Sequence, residues 1–245
     1  MTGLMTEREP TSVFLSIVIP AFNEEKRVGA SLQAIVGYLA GKPFAAEIIV
    51  VDDGSMDRTS EVTRQALVGR VRHRLVRLEA NQGKGYAVRA GVLDSTGEVV
   101  LFTDADLSTP IEELDKFLAR LDEGFDVVIG SRALPGCEIR VRQARPREAM
   151  GRFFNRLVRL FVMDGCLDTQ CGFKVFRRAA AMDLFSRLQT KGFAFDVELL
   201  VLARKSGYRV AEIPVVWCNF APSRVRIIRS SWQMLKELRR IRRLR

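Results

Sequence analysis

Short apolar runs rich in β-branched residues alternate with helix-length segments through the first half of the chain, and this alternation limits the possible folds most severely. Five runs are predicted strands, at Val13–Pro20, Glu47–Asp53, Leu75–Leu78, Glu98–Asp104 and Asp126–Gly130. Strands that are separated by helices pair in parallel through right-handed crossovers. Because these runs are almost continuously apolar, as in sheets covered on both faces, the sequence predicts a doubly wound, mostly parallel α/β sheet.

The segments between the strands carry the apolar spacing of helices. Helices are predicted at Glu24–Leu39, Thr59–Val68, Lys84–Leu93 and about Pro110–Leu121. After Arg132 the regular alternation ends. There we expect helices at about Arg147–Met163 and at Phe195–Lys205, and strands at Gly172–Phe176 and Val210–Trp217.

The composition agrees with a single globular domain. The chain has 245 residues, of which 47% are hydrophobic and 28% charged, and both values are ordinary for such a domain. Met1–Pro10 lacks the apolar core of a signal peptide, and the most apolar stretch, Phe153–Met163, is too short and too charged to span a bilayer. We therefore expect no transmembrane helix. The spacing of the four cysteines matches no zinc site, which predicts reduced cytosolic thiols.

Positive charge is concentrated at the C-terminal end. The net charge is +10, and residues 223–245 carry nine arginines and lysines against one glutamate. Ser230–Leu244 is predicted to be a helix that begins with a capping box and has an apolar stripe at Trp232, Leu235, Leu238, Ile241 and Leu244. Basic amphipathic helices bind membrane surfaces, so we expect a membrane-associating tail. Packing of the stripe on the α/β domain is the alternative, and both arrangements are compatible.

Ligands of open α/β sheets bind outside the carboxyl ends of the strands, where this chain concentrates its polar residues. The segments at those ends are PAFNEE (20–25), DDGSMDRT (52–59), NQGKG (81–85), DAD (104–106) and GSR (130–132). Asp104 and Asp106 follow an apolar strand and can both face one cation. Because Mg²⁺ and Mn²⁺ take carboxylates and substrate phosphates as ligands, we predict a metal site here; the alternative is an Asp-rich surface turn.

Three further features at these strand ends suit a nucleotide. Asp52 and Asp53 can accept hydrogen bonds from a base or a ribose, although this segment also fits a tight turn. Lys84 stands at the start of a helix and adds positive potential. Arg132 can donate two hydrogen bonds to a phosphate, or it can form a surface salt bridge instead.

Several function classes fit poorly. NQGKG lacks the full P-loop pattern, which excludes a P-loop NTPase. His73 is the only histidine and lies in a basic stretch that we expect to be exposed, which argues against a Ser–His hydrolase. A nucleotidyltransferase would carry a glycine-rich basic signature near the first strand, where PAFNEE is acidic. A nucleic-acid-binding protein could use the basic tail but would leave the acidic strand ends without a purpose, so we expect no nucleic-acid partner.

The ordered motifs SIVIPAFNEE, VVDDGSxDxT, NxGKG, DADLSTP and GSR, all between residues 15 and 132, resemble glycosyltransferase family 2. The resemblance implies a GT-A fold, a nucleotide-sugar donor and a divalent metal, Mg²⁺ or Mn²⁺. DTQCGFK (168–174) and GFAFDVELL (192–200) look like the dolichyl-phosphate or polyprenyl-phosphate sugar synthases, and most like their β-glucosyltransferase branch. The Q-x-x-R-W signature of processive synthases is absent from the sequence.

The resemblance also implies residue roles. The catalytic residues would be Asp104, Asp106 and Arg132, and the two aspartates would bind the metal. The nucleotide sugar would be held by Pro20, Phe22, Glu24, Asp52, Asp53, Lys84 and Ala105. The acceptor phosphate or the sugar would meet Arg224, Gln170 and Lys174. Family members usually have tyrosine at the position of Phe22, and phenylalanine keeps the stacking surface but not the phenol hydrogen bond.

The resemblance divides the chain into a GT-A domain at residues 1–222, with a nucleotide-sugar half (13–132) and an acceptor half (133–222), and a membrane-associating tail at 223–245. The expected reaction transfers glucose from UDP-glucose, with inversion, to a polyprenyl or dolichyl phosphate on the cytoplasmic face of a membrane. GDP-mannose or another UDP-sugar as donor, or a non-lipid acceptor, are the alternatives within the family.

Overall fold

The computed structural model describes residues 12–141, 150–151, 155–159, 162, 165–218 and 237–244. Its strands are β1 Leu15–Ala21, β2 Ala46–Asp52, β3 Arg72–Arg77, β4 Val99–Thr103, β5 Val127–Ser131, β6 Glu138–Val141, β7 Phe173–Arg177, β8 Val210–Pro214 and β9 Val216–Cys218. The helices with both ends described are α1 Val28–Ala40, α2 Thr59–Leu67, α3 Lys84–Asp94, α4 Leu114–Asp122, α5 Arg178–Arg187 and α6 Phe195–Lys205.

Seven strands form one sheet in the order β3-β2-β1-β4-β7-β5-β8. The pairs β1–β2, β2–β3, β1–β4 and β5–β8 are parallel, whereas β7 runs antiparallel between β4 and β5. Strands β6 and β9 form a separate two-stranded parallel sheet. The predicted mostly parallel α/β sheet is therefore confirmed, and β7 is the exception within it.

Helices cover both faces of the sheet. Successive residues of a strand point to opposite faces, so each strand contributes apolar side chains to two separate layers. On one face, Val18 and Val51 pack with apolar residues of α3, α5 and α6. On the other face, Ile17 and Val50 pack with residues of α1, α2 and α4. The two layers are buried almost completely, which explains why the strands read as continuous apolar runs.

Some elements depart from the sequence prediction. Strand β3 begins at Arg72, earlier than expected, and the predicted strand Val210–Trp217 is split into β8 and β9. The break falls at Val215, whose N–H donates to the Ser131 carbonyl at 3.3 Å. Helix α5 was not predicted, although its buried Ala180, Ala181, Leu184 and Phe185 have helical spacing.

The C-terminal residues return to the α/β domain. Residues 237–242 are helical, and Leu238 and Ile241 are buried in the layer that contains α6. Arg239, Arg242 and Arg243 are exposed on the same segment. The described half of the predicted apolar stripe therefore packs inward, while its first half, with Trp232 and Leu235, lies outside the described residues.

The predicted helix at about Arg147–Met163 is described only in part, and residues 150–151 and 155–159 are helical. Among all residues that the structure describes, none of the helices has both the length and the apolarity required to cross a bilayer.

Candidate active site

Residues from three strand ends and from the start of one helix meet at one edge of the sheet. Asp104 follows β4, Arg132 follows β5 and Lys84 begins α3. Strand β7 runs in the opposite direction, so its first residue, Phe173, pairs with Thr103 at this same edge. The segment before β7, which includes Asp168, therefore joins the site from the second half of the chain.

Asp104 is held tightly by its backbone neighbours. Its N–H donates to the Gly172 carbonyl at 3.2 Å. A Cβ atom at Gly172 would lie only 2.0 Å from Asp104 Oδ2, so the carboxylate occupies the space that any side chain at position 172 would need. Only a glycine at position 172 therefore leaves room for the Asp104 carboxylate where it lies.

Asp106 is fixed by a local turn. Its Oδ1 accepts hydrogen bonds from the Ser108 N–H at 3.1 Å and the Ser108 hydroxyl at 2.9 Å. Leu107 adopts a φ of 48°, a conformation that is uncommon for residues other than glycine and that is enriched at functional sites. Burial and the neighbouring Asp104 carboxylate raise the pKa of Asp106 above its usual value.

Each of the two aspartates has a cationic neighbour. Lys84 Nζ lies 2.6 Å from Asp104 Oδ1. Arg27 Nη1 lies 3.5 Å from Asp106 Oδ2, and the same guanidinium forms two hydrogen bonds with Glu24, at 2.7 and 2.5 Å. Burial by itself disfavours the Lys84 ammonium, but the Asp104 and Asp196 carboxylates raise its pKa above the ordinary value.

Asp104 and Asp106 suit a divalent cation whose remaining ligands come from a substrate and from water. Within the described residues, no three His, Cys, Asp or Glu side chains form a closed metal site. Two carboxylates at a solvent-accessible edge are the donor set of Mg²⁺ or Mn²⁺ sites, in which water and phosphate oxygens complete the coordination. The residues present are therefore compatible with the predicted metal.

The predicted nucleotide residues of β2 are buried and already hydrogen-bonded. Asp52 Oδ1 accepts from the Ser55 N–H at 2.8 Å, as in an Asx turn. Asp53 accepts from the N–H groups of Gln82 and Gly83 at 2.7 and 2.9 Å, which ties β2 to the loop before α3. Burial raises the pKa of Asp53 despite these two donors. A nucleotide contact of either carboxylate stays a prediction.

The remaining predicted nucleotide residues lie at the end of β1 and beside Asp104. Pro20 is a β1 residue that pairs with Val51, and Ala105 is buried. Phe22 is 37% exposed, so its ring has a face available for stacking. Glu24 is engaged by Arg27, and this arrangement leaves the predicted contact of Glu24 with the nucleotide untested.

Arg132 forms a bidentate pair with Asp168. Its Nε and Nη2 lie 2.6 and 2.9 Å from the two carboxylate oxygens, and its backbone N–H donates to Oδ2 at 3.0 Å. The guanidinium also lies 5.6 Å from the centre of the Trp217 ring. Burial alone would raise the pKa of Asp168, but Arg132 lowers it to about 2. The structure thus shows the salt bridge that was the alternative to a phosphate contact.

The predicted acceptor residues are distributed unevenly. Gln170 is partly exposed next to Asp168, and its N–H donates to that carboxylate at 3.2 Å. Lys174 is fully buried beneath the edge, where its ammonium donates to Asp196 and to the Cys171 carbonyl, both at 2.6 Å. The structure therefore shows Lys174 supporting the site from below rather than facing an acceptor. Arg224 lies outside the described residues.

Sequence reasoning missed several residues of the site: Arg27, Asp168, Asp196 and Trp217. Asp168 and Asp196 lie inside the two segments that carried the resemblance to lipid-phosphate sugar synthases, but nothing in their spacing showed that they pair with Arg132 and Lys174. Arg27 lies two positions after the polar segment 20–25, and its distance of 79 positions from Asp106 explains why the contact was not predicted.

Comparison with known families agrees with the geometry of this edge. The family model described as glycosyl transferase family 2 matches residues 16–185. The chain belongs to glycosyltransferase family 2. The match includes Lys84, the two aspartates and Arg132 as well as the antiparallel β7. The predicted family is confirmed.

Curated members of family 2 resemble this chain over most of its length. A dolichyl-phosphate β-glucosyltransferase of Trichomonas vaginalis is 40% identical over 229 residues, which cover 89% of this chain and 68% of that protein. The enzymes of the same name from Homo sapiens and Saccharomyces cerevisiae are 37% and 33% identical. The alignments cover 91% and 97% of this chain and 73% and 77% of those proteins.

Solved structures confirm the GT-A fold of this family 2 member. Glucosyl-3-phosphoglycerate synthase from Mycobacterium tuberculosis, in complex with Mn²⁺, UDP-glucose and phosphoglyceric acid, superposes with a TM-score of 0.72 at 19% identity, covering 94% of this chain and 79% of that one. Staphylococcus aureus TarS gives a TM-score of 0.60 at 19% identity, with coverage of 94% and 65%. At these identities the likeness concerns the fold alone.

Proposed function

We propose that this family 2 enzyme transfers glucose from UDP-glucose to dolichyl or polyprenyl phosphate, with inversion at the anomeric carbon. The observation that carries the proposal is the name shared by relatives that are 33–40% identical over 89–97% of the chain. The edge of the sheet supports it, because two aspartates, two cations and an exposed aromatic ring suit a nucleotide sugar.

The transfer exchanges one bond at the anomeric carbon for another. An oxygen of the acceptor phosphate forms a bond to this carbon, while the bond to UDP breaks and UDP leaves with the electron pair. A phosphate monoester is already anionic at neutral pH, so the attacking oxygen needs no general base. This scheme gives His73, the only histidine, no role as a base. His73 lies on the edge strand β3, and its Nδ1 is 2.8 Å from the Val71 carbonyl oxygen.

The chain would bind a divalent cation, Mg²⁺ or Mn²⁺, through Asp104 and Asp106. Such a metal supplies Lewis-acid stabilisation of the diphosphate as it leaves. Lys84 and Arg27 add positive charge beside the same carboxylates, where they can contact phosphate oxygens. Phe22 offers a stacking surface for the base. Catalysis then rests on orientation and on electrostatic stabilisation of the leaving group.

The acceptor half of the site would be built on the segment before β7. Gln170 is the partly exposed residue there, and Arg132 is oriented by Asp168 and Trp217. Arg132 keeps 28% of its side chain exposed, so it can meet a phosphate while remaining paired. Lys174 would act indirectly, by holding Asp196 and the Cys171 carbonyl beneath the metal carboxylates. Arg224 is proposed to contact the acceptor phosphate.

A lipid acceptor requires contact with a membrane, and we assign this contact to the tail at 223–245. The described part of the tail buries Leu238 and Ile241 and exposes Arg242 and Arg243. Each basic residue near an anionic surface contributes about 1 kcal/mol, and the cytoplasmic leaflet carries the negative potential. The free state of all four cysteines fits a reducing compartment. Peripheral attachment to the cytoplasmic face follows as part of the proposal.

The proposal is tested by direct transfer. The purified protein is incubated with UDP-glucose, GDP-mannose or other UDP-sugars, with and without Mn²⁺ or Mg²⁺ and a polyprenyl phosphate, and the products are identified by mass spectrometry. The expected product is a polyprenyl monophosphate glucose that forms only with metal and UDP-glucose. Transfer from GDP-mannose instead, or transfer to a non-lipid acceptor alone, would overturn the assignment while leaving the family intact.

A further inference from the structure

One arginine of the C-terminal segment connects three parts of the molecule. Arg240 lies in the helical residues 237–242. Its Nη1 donates to Gln189 Oε1 at 2.7 Å, and its Nη2 donates to Thr190 Oγ1 at 2.5 Å and to Glu198 Oε2 at 2.8 Å. A single guanidinium therefore joins the tail, the loop before α6 and helix α6 itself.

Glu198 is the buried centre of this connection. Only 1% of its side chain is exposed, and its carboxylate also accepts hydrogen bonds from the N–H groups of Gln189 and Thr190 at 3.1 and 2.8 Å. A buried carboxylate is stable when it is paired and hydrogen-bonded, and removing its cation is costly. Arg240 therefore helps to fix the shape of the loop at residues 189–192.

That loop lies in backbone contact with the start of α3. The Tyr86 N–H donates to the Lys191 carbonyl at 3.3 Å. A Cβ atom at Gly83 would lie 2.5 Å from the Lys191 oxygen, and one at Gly85 would lie 2.5 Å from the Thr190 oxygen. Two glycines thus allow the loop to approach closely on both sides of Lys84.

Lys84 is the residue that carries this contact into the active site, because its ammonium lies 2.6 Å from Asp104 Oδ1. We propose that Arg240 is a positioning residue for Lys84. Through Glu198 it holds loop 189–192 against the start of α3, and so sets the place of the ammonium beside Asp104. The tail then contributes to donor binding as well as to contact with a lipid surface. Both contributions rest on the proposed function, whereas the effect of Arg240 on the position of Lys84 does not.

The experiment compares Arg240→Gln with Arg187→Gln in the full chain. Arg187 is a matched control because it also pairs with a carboxylate, Asp183 at 2.7 Å, but on an exposed surface. Hydrogen–deuterium exchange of the peptide that contains Tyr86 is measured first, since it requires no substrate. UDP-glucose affinity in the presence of Mn²⁺ is then measured by calorimetry, together with kcat and KM and with the melting temperature of each variant.

Arg240→Gln is expected to accelerate exchange at Tyr86 and to weaken UDP-glucose binding about tenfold, a change of about 1.4 kcal/mol. KM for the donor should rise more than kcat falls, Arg240→Lys should restore part of the affinity, and Arg187→Gln should match the wild type. Unchanged exchange at Tyr86 would overturn the inference, and so would a lower melting temperature with unaltered donor affinity. A wild-type protein that does not bind UDP-glucose counts against the proposed function, whereas the exchange result still decides the role of Arg240.

Discussion

Gly172 lies against Asp104 so closely that a Cβ atom at position 172 would fall 2.0 Å from the Asp104 carboxylate. Gly172 directly precedes β7 and Asp104 directly follows β4, and these antiparallel strands pair through Phe173 and Thr103 at the active edge. An alanine at 172 must therefore push the carboxylate away from its place. The carboxylate is one of two proposed metal ligands, so a small change in the backbone partner should have a large effect on the reaction.

Gly172→Ala is expected to lower kcat/KM for UDP-glucose by about 100-fold or more, because misplacement of a reacting group by about 1 Å is costly. Weaker Mn²⁺ binding, followed by electron paramagnetic resonance, should accompany the loss. The control is Gly37→Ala in helix α1, where an added Cβ meets nothing within 4 Å. There the substitution should stabilise the protein by about 0.5–1 kcal/mol and leave activity unchanged. Equal activity of the two variants would contradict the proposed role of Gly172.

Asp106→Ala is expected to abolish metal-dependent transfer without unfolding the protein. The side chain is partly exposed, and its shortest hydrogen bonds are local, to Ser108. Its contact with Arg27 is long, at 3.5 Å, and Arg27 keeps its pair with Glu24, so removal of the carboxylate costs little stability. Circular dichroism and the melting temperature should stay close to the wild-type values, while product formation falls below detection. Asp122→Ala, an exposed aspartate at the end of α4, serves as control. Near-normal turnover of Asp106→Ala would rule out the assigned metal site.

Much of this site could be predicted from the sequence because strand ends are marked by local patterns. An apolar run followed by Asp104 and Asp106, or by Arg132, shows both the strand and the polar residue that leaves it. The helical spacing of apolar residues also predicted α6 correctly, since the predicted ends at Phe195 and Lys205 agree with the structure. These features depend on residues that are close together in the chain.

Pairings between distant residues could not be predicted in the same way. The spacing of Arg132 and Asp168 does not reveal a bidentate ion pair. The family resemblance placed Lys174 at the acceptor or the sugar, although its side chain is fully buried. Strand β7 was foreseen as a strand but not as an antiparallel one, because direction depends on where the preceding segment crosses the sheet. In each case the deciding information is three-dimensional packing, which a single sequence does not contain.

The ion pair of Asp168 predicts a dependence of stability on pH. The pKa of Asp168 is lowered to about 2 in the folded protein, against about 3.9 for an unfolded chain. Its contribution of about 2.6 kcal/mol is complete above about pH 5 and is lost progressively as the pH falls through about 2. Urea unfolding of the wild type and of Asp168→Asn between pH 5 and pH 2 measures this contribution. The stability difference between the two proteins should shrink as the pH falls, and a constant difference would refute the assigned ionisation.

The exposed arginines of the tail predict a salt-dependent attachment to anionic membranes. Arg242 and Arg243 point away from the core that holds Leu238 and Ile241, so their charges are free to meet lipid headgroups. Replacing both with glutamine should remove about 2 kcal/mol of binding to vesicles that contain phosphatidylserine, which is about a 30-fold loss of affinity. The loss should diminish as salt is added, because screening weakens such attraction.

A control for total charge is the double variant Arg120→Gln with Arg187→Gln, which removes the same charge from exposed ion pairs elsewhere. Vesicle sedimentation at low and high salt compares the two double variants with the wild type. If both weaken binding equally, the attraction reflects the net charge of the protein and not the tail. If only the tail variant weakens binding to vesicles, the arginines of the tail face the lipid. Because Leu238 and Ile241 pack on the domain, the tail would then bring the lipid acceptor and the active site to the same surface.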